Sequence, residues 1–171
     1  MVVDIVNMKN IVLSWLRENE ANSDLIEVVS GMDRVDWLWI SKHQKLSEDF
    51  IREFEDRVDW LWISGSQTLS ESFIREFKNR VNWYWISYSQ TLSEGFIREF
   101  EDRLDWNWIS MCQKLSEDFI REFEDRVIWK WISEYQDIGD KFANEFRDRI
   151  DWELYIEARN KRVKKVLEDF V

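Results

Sequence analysis

The stretch Val58–Arg80, "VDWLWISGSQTLSESFIREFKNR", decides how this chain folds, because the chain says it again and again. Copies open at Val35, Val58, Val81, Leu104 and Val127, each 23 residues after the last, and Ile150 opens a sixth that soon diverges. The shared frame is V-x-W-x-W-I-S-x-x-Q-x-L-S-E-x-F-I-R-E-F-x-x-R, and the copy Val127–Arg149 is the loosest. Self-similarity at a fixed period marks an architecture in which each unit buries its apolar face against its neighbours. Upstream, Val12–Arg34 is a degraded copy in which Trp15, Leu16, Leu25, Ile26, Val28 and Val29 stay apolar. The organisation expected is an N-terminal cap and degenerate repeat over 1–34, five repeats over 35–149, and a partial repeat with a capping helix over 150–171, in one continuous domain.

Within a copy, the second half reads as a helix. In Leu69–Val81 the apolar positions Leu69, Phe73, Ile74, Phe77 and Val81 form one helical stripe. Ser70 stands at the N-cap and Glu71 in the first turn, where a carboxylate complements the helix dipole. Ser47-Glu48, Ser93-Glu94 and Ser116-Glu117 repeat this start. The first half, "VDWLWISGSQ", is ambiguous. Alternating Val58, Trp60 and Trp62 suit a strand of a leucine-rich-like, strand-plus-helix solenoid. Asp59 equally suits the cap of a short helix that buries Trp60, Ile63 and Gln67. Most copies lack the glycine, proline or asparagine that two tight turns per unit favour, and no asparagine ladder is present. The preferred fold is therefore all-α: a solenoid of helix-turn-helix repeats with a short helix A and a longer helix B.

Residues two apart on a helix point about 200° from each other, so Trp60 and Trp62 face different sides. The repeats then generate two tryptophan files, 37/60/83/106/129 and 39/62/85/108/131. Stacked burial between units is the expected role of both. The alternative for the second file is an exposed platform for nucleic-acid bases, which works beside cationic residues. The chain instead carries 35 acidic and 24 basic residues, a net charge of −11, so direct nucleic-acid binding is not expected.

Composition sets the remaining bounds. With 44% apolar residues over 171 positions the chain can bury a core, and it has no proline. The single cysteine, Cys112, allows no internal disulfide. No apolar run reaches membrane-spanning length, and the first residues carry Asp4 and lack the basic start of a signal peptide, so a cytoplasmic protein without membrane attachment is expected.

Helix B places Glu48, Asp49, Arg52, Glu55 and Asp56 opposite its apolar stripe. Repetition makes a mostly negative ribbon with Glu48, Glu71, Glu94 and Glu117 in one file and Asp49 and Asp118 in another. A solvated face is the simpler account. The functional account is an acidic inhibitor that occupies a nucleic-acid-binding groove, acting by general field, because helix stacks advance about 10 Å per element and duplex DNA carries a charge about every 1.7 Å. Arg52, Arg75, Arg98 and Arg121 are placed to pair with carboxylates of neighbouring turns or units. Arg57, Arg80, Arg103, Arg126 and Arg149 end helix B, where they suit its last carbonyls or lie across indole rings.

No catalytic constellation stands out. His43 is the only histidine, Cys112 has no histidine beside it, and no glycine-rich phosphate loop exists, so neither enzyme activity nor any metal or cofactor is expected. What differs between copies is more telling. Helix A varies at Leu38/Leu61/Tyr84/Asn107/Lys130, at Lys42/Gly65/Tyr88/Met111/Glu134 and at His43/Ser66/Ser89/Cys112/Tyr135. The first two files lie next to each other on a helix, away from the Trp60–Ile63 side. A constant frame with one variable face suits the binding of another protein, and drift at solvated positions is the competing account. Leu61, Tyr84, Tyr88, Asn107, Met111 and Lys130 are the candidate contacts on this face, with Glu48, Asp49, Glu71, Glu94, Glu117 and Asp118 on the acidic one. Self-association of the array stays open. At the C-terminus Arg159, Lys161, Arg162, Lys164 and Lys165 form a basic face, and Val163, Val166, Leu167 and Phe170 an apolar stripe, as expected of a capping helix.

Over Val35–Arg149 the unit "VDWxWISxxQxLSExFIREFxDR" resembles a short tandem repeat of uncharacterised proteins of large DNA viruses, phages and some bacteria. Those arrays leave the residue before Ile-Ser freer, whereas here it is tryptophan in all five full copies, which points to extra inter-repeat packing or a dedicated aromatic surface. The resemblance brings no established activity. It implies a host-directed or anti-defence binder.

Overall fold

The structure, a computed structural model, describes residues 5–19 and 23–168, and among these every regular element is an α-helix. The chain divides into two compact units, Met1–Asn82 and Trp83–Val171. The first holds α1 (Ile5–Glu18), α2 (Ser23–Gly31), α3 (Trp37–His43), α4 (Glu48–Glu53), α5 (Trp60–Ser66) and α6 (Glu71–Glu76). The second holds α7 (Trp83–Ser89), α8 (Glu94–Glu99), α9 (Trp106–Cys112), α10 (Glu117–Glu122), α11 (Trp129–Tyr135), α12 (Asp140–Glu145) and α13 (Trp152–Glu168). Each full repeat is thus a helix pair, and the strand alternative falls. The fold is an α-solenoid of packed helical repeats. In the first unit α1 packs on α2 and α3 on α5; in the second α7, α9, α11 and α13 pack in succession.

Helix starts follow the sequence. Asp36, Asp59 and Asp105 accept from backbone N–H groups two or three residues on, and Ser47, Ser70, Ser93 and Ser116 each accept from the phenylalanine N–H three residues on at 3.2 Å. The last repeat is capped without side chains, by Ile128 and Gly139. One expectation needs correction: helix B is not the longer helix. It has 6 residues against 7 for helix A, because the chain tightens at Phe54, Phe77, Phe100 and Phe123. Arg80 N–H then bonds Phe77 O, a three-residue step, so the apolar spacing continues through a turn instead of a helix.

The core of each unit is built from isoleucine and phenylalanine, not tryptophan. Ile40, Ile63, Phe50 and Phe73 in the first unit, and Ile86, Ile109, Ile132, Phe96, Phe119 and Phe142 in the second, are buried. First-file tryptophans are half-buried. Trp106 lies 6.3 Å from Phe119 and 5.0 Å from Phe123, and the Arg126 guanidinium sits 5.6 Å from its ring. Its Nε1–H donates to Glu101 O of the preceding repeat at 2.9 Å. Trp60 and Trp129 repeat the arrangement. The expected ring-on-ring stack is replaced by tryptophans packed on the phenylalanines of their own repeat.

Polar latches join successive repeats. The buried serines Ser64, Ser87, Ser110 and Ser133 donate to the tryptophan carbonyl four residues back and accept an N–H from the next repeat: Ser110 Oγ lies 2.7 Å from Trp106 O and 2.9 Å from Ile128 N. The buried glutamines bond the opposite way. Gln113 Nε2 donates to Ser87 O at 3.3 Å and Gln90 O at 2.8 Å, and its Oε1 accepts from Leu92 N at 2.9 Å; Gln67 and Gln136 do the same in their repeats. These bonds satisfy backbone groups in connections that no helix ladder reaches. The terminal arginines also reach backwards. Arg80 and Arg149 donate to Glu55 O and Glu124 O, carbonyls of the preceding repeat, and not to the last carbonyls of their own helix B as the sequence suggested.

Helices outside the full repeats pack on both sides of them. Trp15 sets its edge on Phe50 and Phe54, and Lys9 Nζ donates to Ser30 O and Met32 O, closing the end of α2. At the other end Tyr155 is buried with its hydroxyl on Asp140 at 2.6 Å, Arg159 pairs with Asp140, and Arg162 donates to Gln136 O. The stripe expected to anchor α13 does not do so. Val163, Val166 and Leu167 are exposed, because the helix docks through Tyr155 and its arginines; Phe170 and Asp4 lie outside the described residues. No described helix is long and apolar enough to cross a membrane.

Candidate functional site

The varying positions of helix A form an outward face in each unit. Leu61 in the first unit, and Tyr84, Tyr88, Asn107 and Lys130 in the second, are exposed, and Met111 is half-buried. The sequence left undecided what this face rests on. In each unit it is the second tryptophan file, half-buried at Trp62 and open at Trp39 in the first, and half-buried at Trp85, Trp108 and Trp131 in the second. Variable side chains lie against these indoles: Lys42 on Trp62, Tyr84 and Tyr88 on Trp85 and Trp108, and Lys130 and Tyr135 on Trp131.

In the second unit four rings meet. Tyr84 stands edge-on to Trp85 at 5.6 Å and to Trp108 of the next repeat at 5.8 Å. Tyr88 lies 5.7 Å from Trp85 and 4.6 Å from Trp108. Helix A positions the group: Tyr84 and Tyr88 are one turn apart on α7, and the packing of α7 on α9 brings Trp108 beneath both. Tyr84 and Tyr88 are nevertheless 48% and 44% exposed. They are preformed, rigid and amphipathic, the properties that make tyrosine effective at interfaces. Beside Met111 lies a groove of about 530 Å³, lined also by Cys112, Gln113 and Tyr135.

The acidic file has a structural occupation. Glu48 Oε1 accepts from Ser70 N at 2.6 Å, Glu94 from Ser116 N at 2.7 Å and Glu117 from Gly139 N at 2.8 Å, so each closes the N-cap region of the following repeat. Glu71 pairs with Arg75. Asp49 and Asp118 are exposed but bonded to Arg52 and Arg121 at 2.9 and 2.8 Å. Across the junctions Arg52 binds Glu76, Arg98 binds Glu122 and Arg121 binds Glu145, and these hydrogen bonds hold the guanidiniums above their ordinary pKa. The ribbon is therefore a laced network of both signs more than a bare negative track.

The lacing predicts a pH response. The hydrogen bond from Arg121 holds the Glu145 carboxyl below its usual range. A depressed folded value stabilises the fold above the carboxyl's unfolded range, and that contribution is lost as the pH falls through the folded value. Arg121→Gln is expected to return the Glu145 titration to the ordinary carboxylate range, as followed by carboxyl carbon chemical shifts.

Cys112 is exposed at its edge, yet desolvation pushes its thiol up, away from the thiolate. The His43 ring lies tilted against Trp39, their centroids 5.3 Å apart. Among the described residues no group of histidine, cysteine and carboxylate side chains is arranged to hold a metal ion.

Fold and surface together define a helical tandem-repeat protein whose conserved bonds join repeat to repeat and whose variable positions crown a tryptophan floor. No protein-family model, curated protein or solved structure matches the chain.

Proposed function

We propose that the protein is a non-enzymatic scaffold that binds another protein through the outer face of its A helices, centred on Tyr84 and Tyr88. The observation that carries this reading is the contrast between two kinds of position. The recurring phenylalanines, isoleucines, serines, glutamines and glutamates are engaged in core packing or junction bonds, whereas Tyr84, Tyr88, Asn107 and Lys130, where the copies differ, are exposed beside the second tryptophan file. The resemblance of the repeat to those of large DNA viruses and phages supports a host-directed, anti-defence target, and with it an intracellular setting.

Affinity capture from host lysate tests the reading, with Tyr84→Ala/Tyr88→Ala beside the unaltered chain. Both residues are exposed, so the double variant is expected to keep its far-ultraviolet circular dichroism and lose its principal partner. Retention of every partner by the variant would overturn the assignment of this face.

A further inference from the structure

We infer that the Tyr84–Tyr88–Trp108 cluster receives a cationic side chain, lysine or arginine, from a basic segment of the bound partner; this deepens the protein-binding reading and rests on it. The chain itself supplies the template. Lys42 places its ammonium 4.1 Å from the centre of the Trp62 ring, in the repeat that follows it. Lys130 places its own 4.9 Å from the ring of Trp131, the next residue. Tyr88 occupies the repeat position of Lys42 and meets the corresponding indole, Trp108. Tyr84 occupies the position of Lys130 beside its own Trp85. Where the ends of the array set a cation on the tryptophan floor, its middle sets two more electron-rich rings.

The same pairing recurs throughout the fold. Arg98 and Arg121 lie 4.9 Å from the rings of Phe119 and Phe142 in the following repeat, and Arg126 and Arg149 lie across Trp106 and Trp129. Rings that accept a cation are thus the common currency of this architecture. At the cluster the rings are multiplied and the intramolecular lysine is absent from both template positions. A net charge of −11 draws basic segments from a distance. The exposed rings of Tyr84 and Tyr88, set against Trp108, then hold the ammonium or guanidinium once it arrives.

The test titrates the full chain with short oligo-arginine and oligo-lysine peptides at physiological ionic strength, where long-range field is screened. Length-matched glycine-serine and proline-rich peptides serve as neutral comparators. The indole N–H resonance of Trp108 is expected to shift with the basic peptides and not with the neutral ones. Affinity should fall about tenfold in Tyr84→Ala/Tyr88→Ala and be kept in Tyr84→Phe/Tyr88→Phe, whose rings remain, given the strength of ring–cation contacts. Equal binding by the alanine variant would mean that net charge alone holds the peptide, and would overturn the proposal. So would an unmoved Trp108 signal, or neutral peptides that bind as tightly. A partner captured from lysate through Tyr84 and Tyr88 while basic peptides ignore them would sink the cationic assignment alone; a partner indifferent to both tyrosines would sink the underlying face as well.

Discussion

Gln113→Ala is expected to destabilise the second unit by on the order of 4 kcal/mol, although it removes an uncharged side chain. The amide of Gln113 answers three backbone groups of the preceding repeat: the carbonyls of Ser87 and Gln90 and the N–H of Leu92. All three bonds are buried, and the glutamine is only 5% exposed, so water cannot take its place without opening the junction. Each buried group left without a partner costs about 1–3 kcal/mol. Only a primary amide offers two donors and an acceptor in this arrangement, so Gln113→Leu fills the space without rescuing the bonds. Gln113→Glu adds a diagnostic. Its carboxyl can donate to a carbonyl only when protonated, so burial raises its folded pKa. The stability it retains is present below the unfolded carboxyl's range and is lost as the pH rises through the folded value. Denaturant unfolding by circular dichroism reads the loss, and hydrogen exchange at Leu92 shows whether the junction opens first. Unchanged protection there would contradict the latch.

The second large effect is expected from Phe119→Ala, at about 3–5 kcal/mol for truncating a fully buried aromatic side chain. Phe119 has no exposed surface; its ring lies 4.7 Å from Phe123 and is stacked against Trp106, and Arg98 of the preceding repeat covers it from outside. Its removal therefore takes away one wall of a tryptophan site and one face of a junction. Trp106 emission should shift to the red, and the loss should be concentrated in α9 and α10, since repeat arrays are stabilised by near-neighbour terms. Phe119→Leu, which keeps most of the volume, should cost clearly less. A Phe119→Ala protein that unfolds at the same denaturant concentration as the parent would refute the placement of the core.

Sequence pattern and structure agree where the period alone determines the outcome. Leu69, Phe73, Ile74 and Phe77 are all buried, because a stripe with helical spacing can face only one way. Ser70 and Asp59 cap their helices because their side chains bond locally, within three residues. Agreement ends where the answer depends on the register between copies. The stripe Phe73–Phe77–Val81 reads the same through a helix or a turn, so the early end of helix B was hidden. Glu94 looked like part of a solvated ribbon, yet it bonds Ser116 N one period away. Trp108 carries no sign in its own repeat that Tyr84 and Tyr88 of the previous one lean on it. In α13 the apolar alternation of Val163, Val166 and Leu167 promised packing that Tyr155 and Arg162 supply by other means. The recurring residues were visible; their addresses on the neighbouring copy were not.

The glutamine and serine latches also make the chain modular in an editable sense. If Leu104–Arg126 were excised, Gln136 would meet Ser87, Gln90 and Leu92 with the same amide chemistry that Gln113 offers them today. A genetic deletion or duplication of one in-phase period therefore changes the number of repeats while leaving each remaining seam chemically the same. Repeat number becomes a quantity that recombination can adjust in whole steps, independently of the handful of side chains that differ from copy to copy.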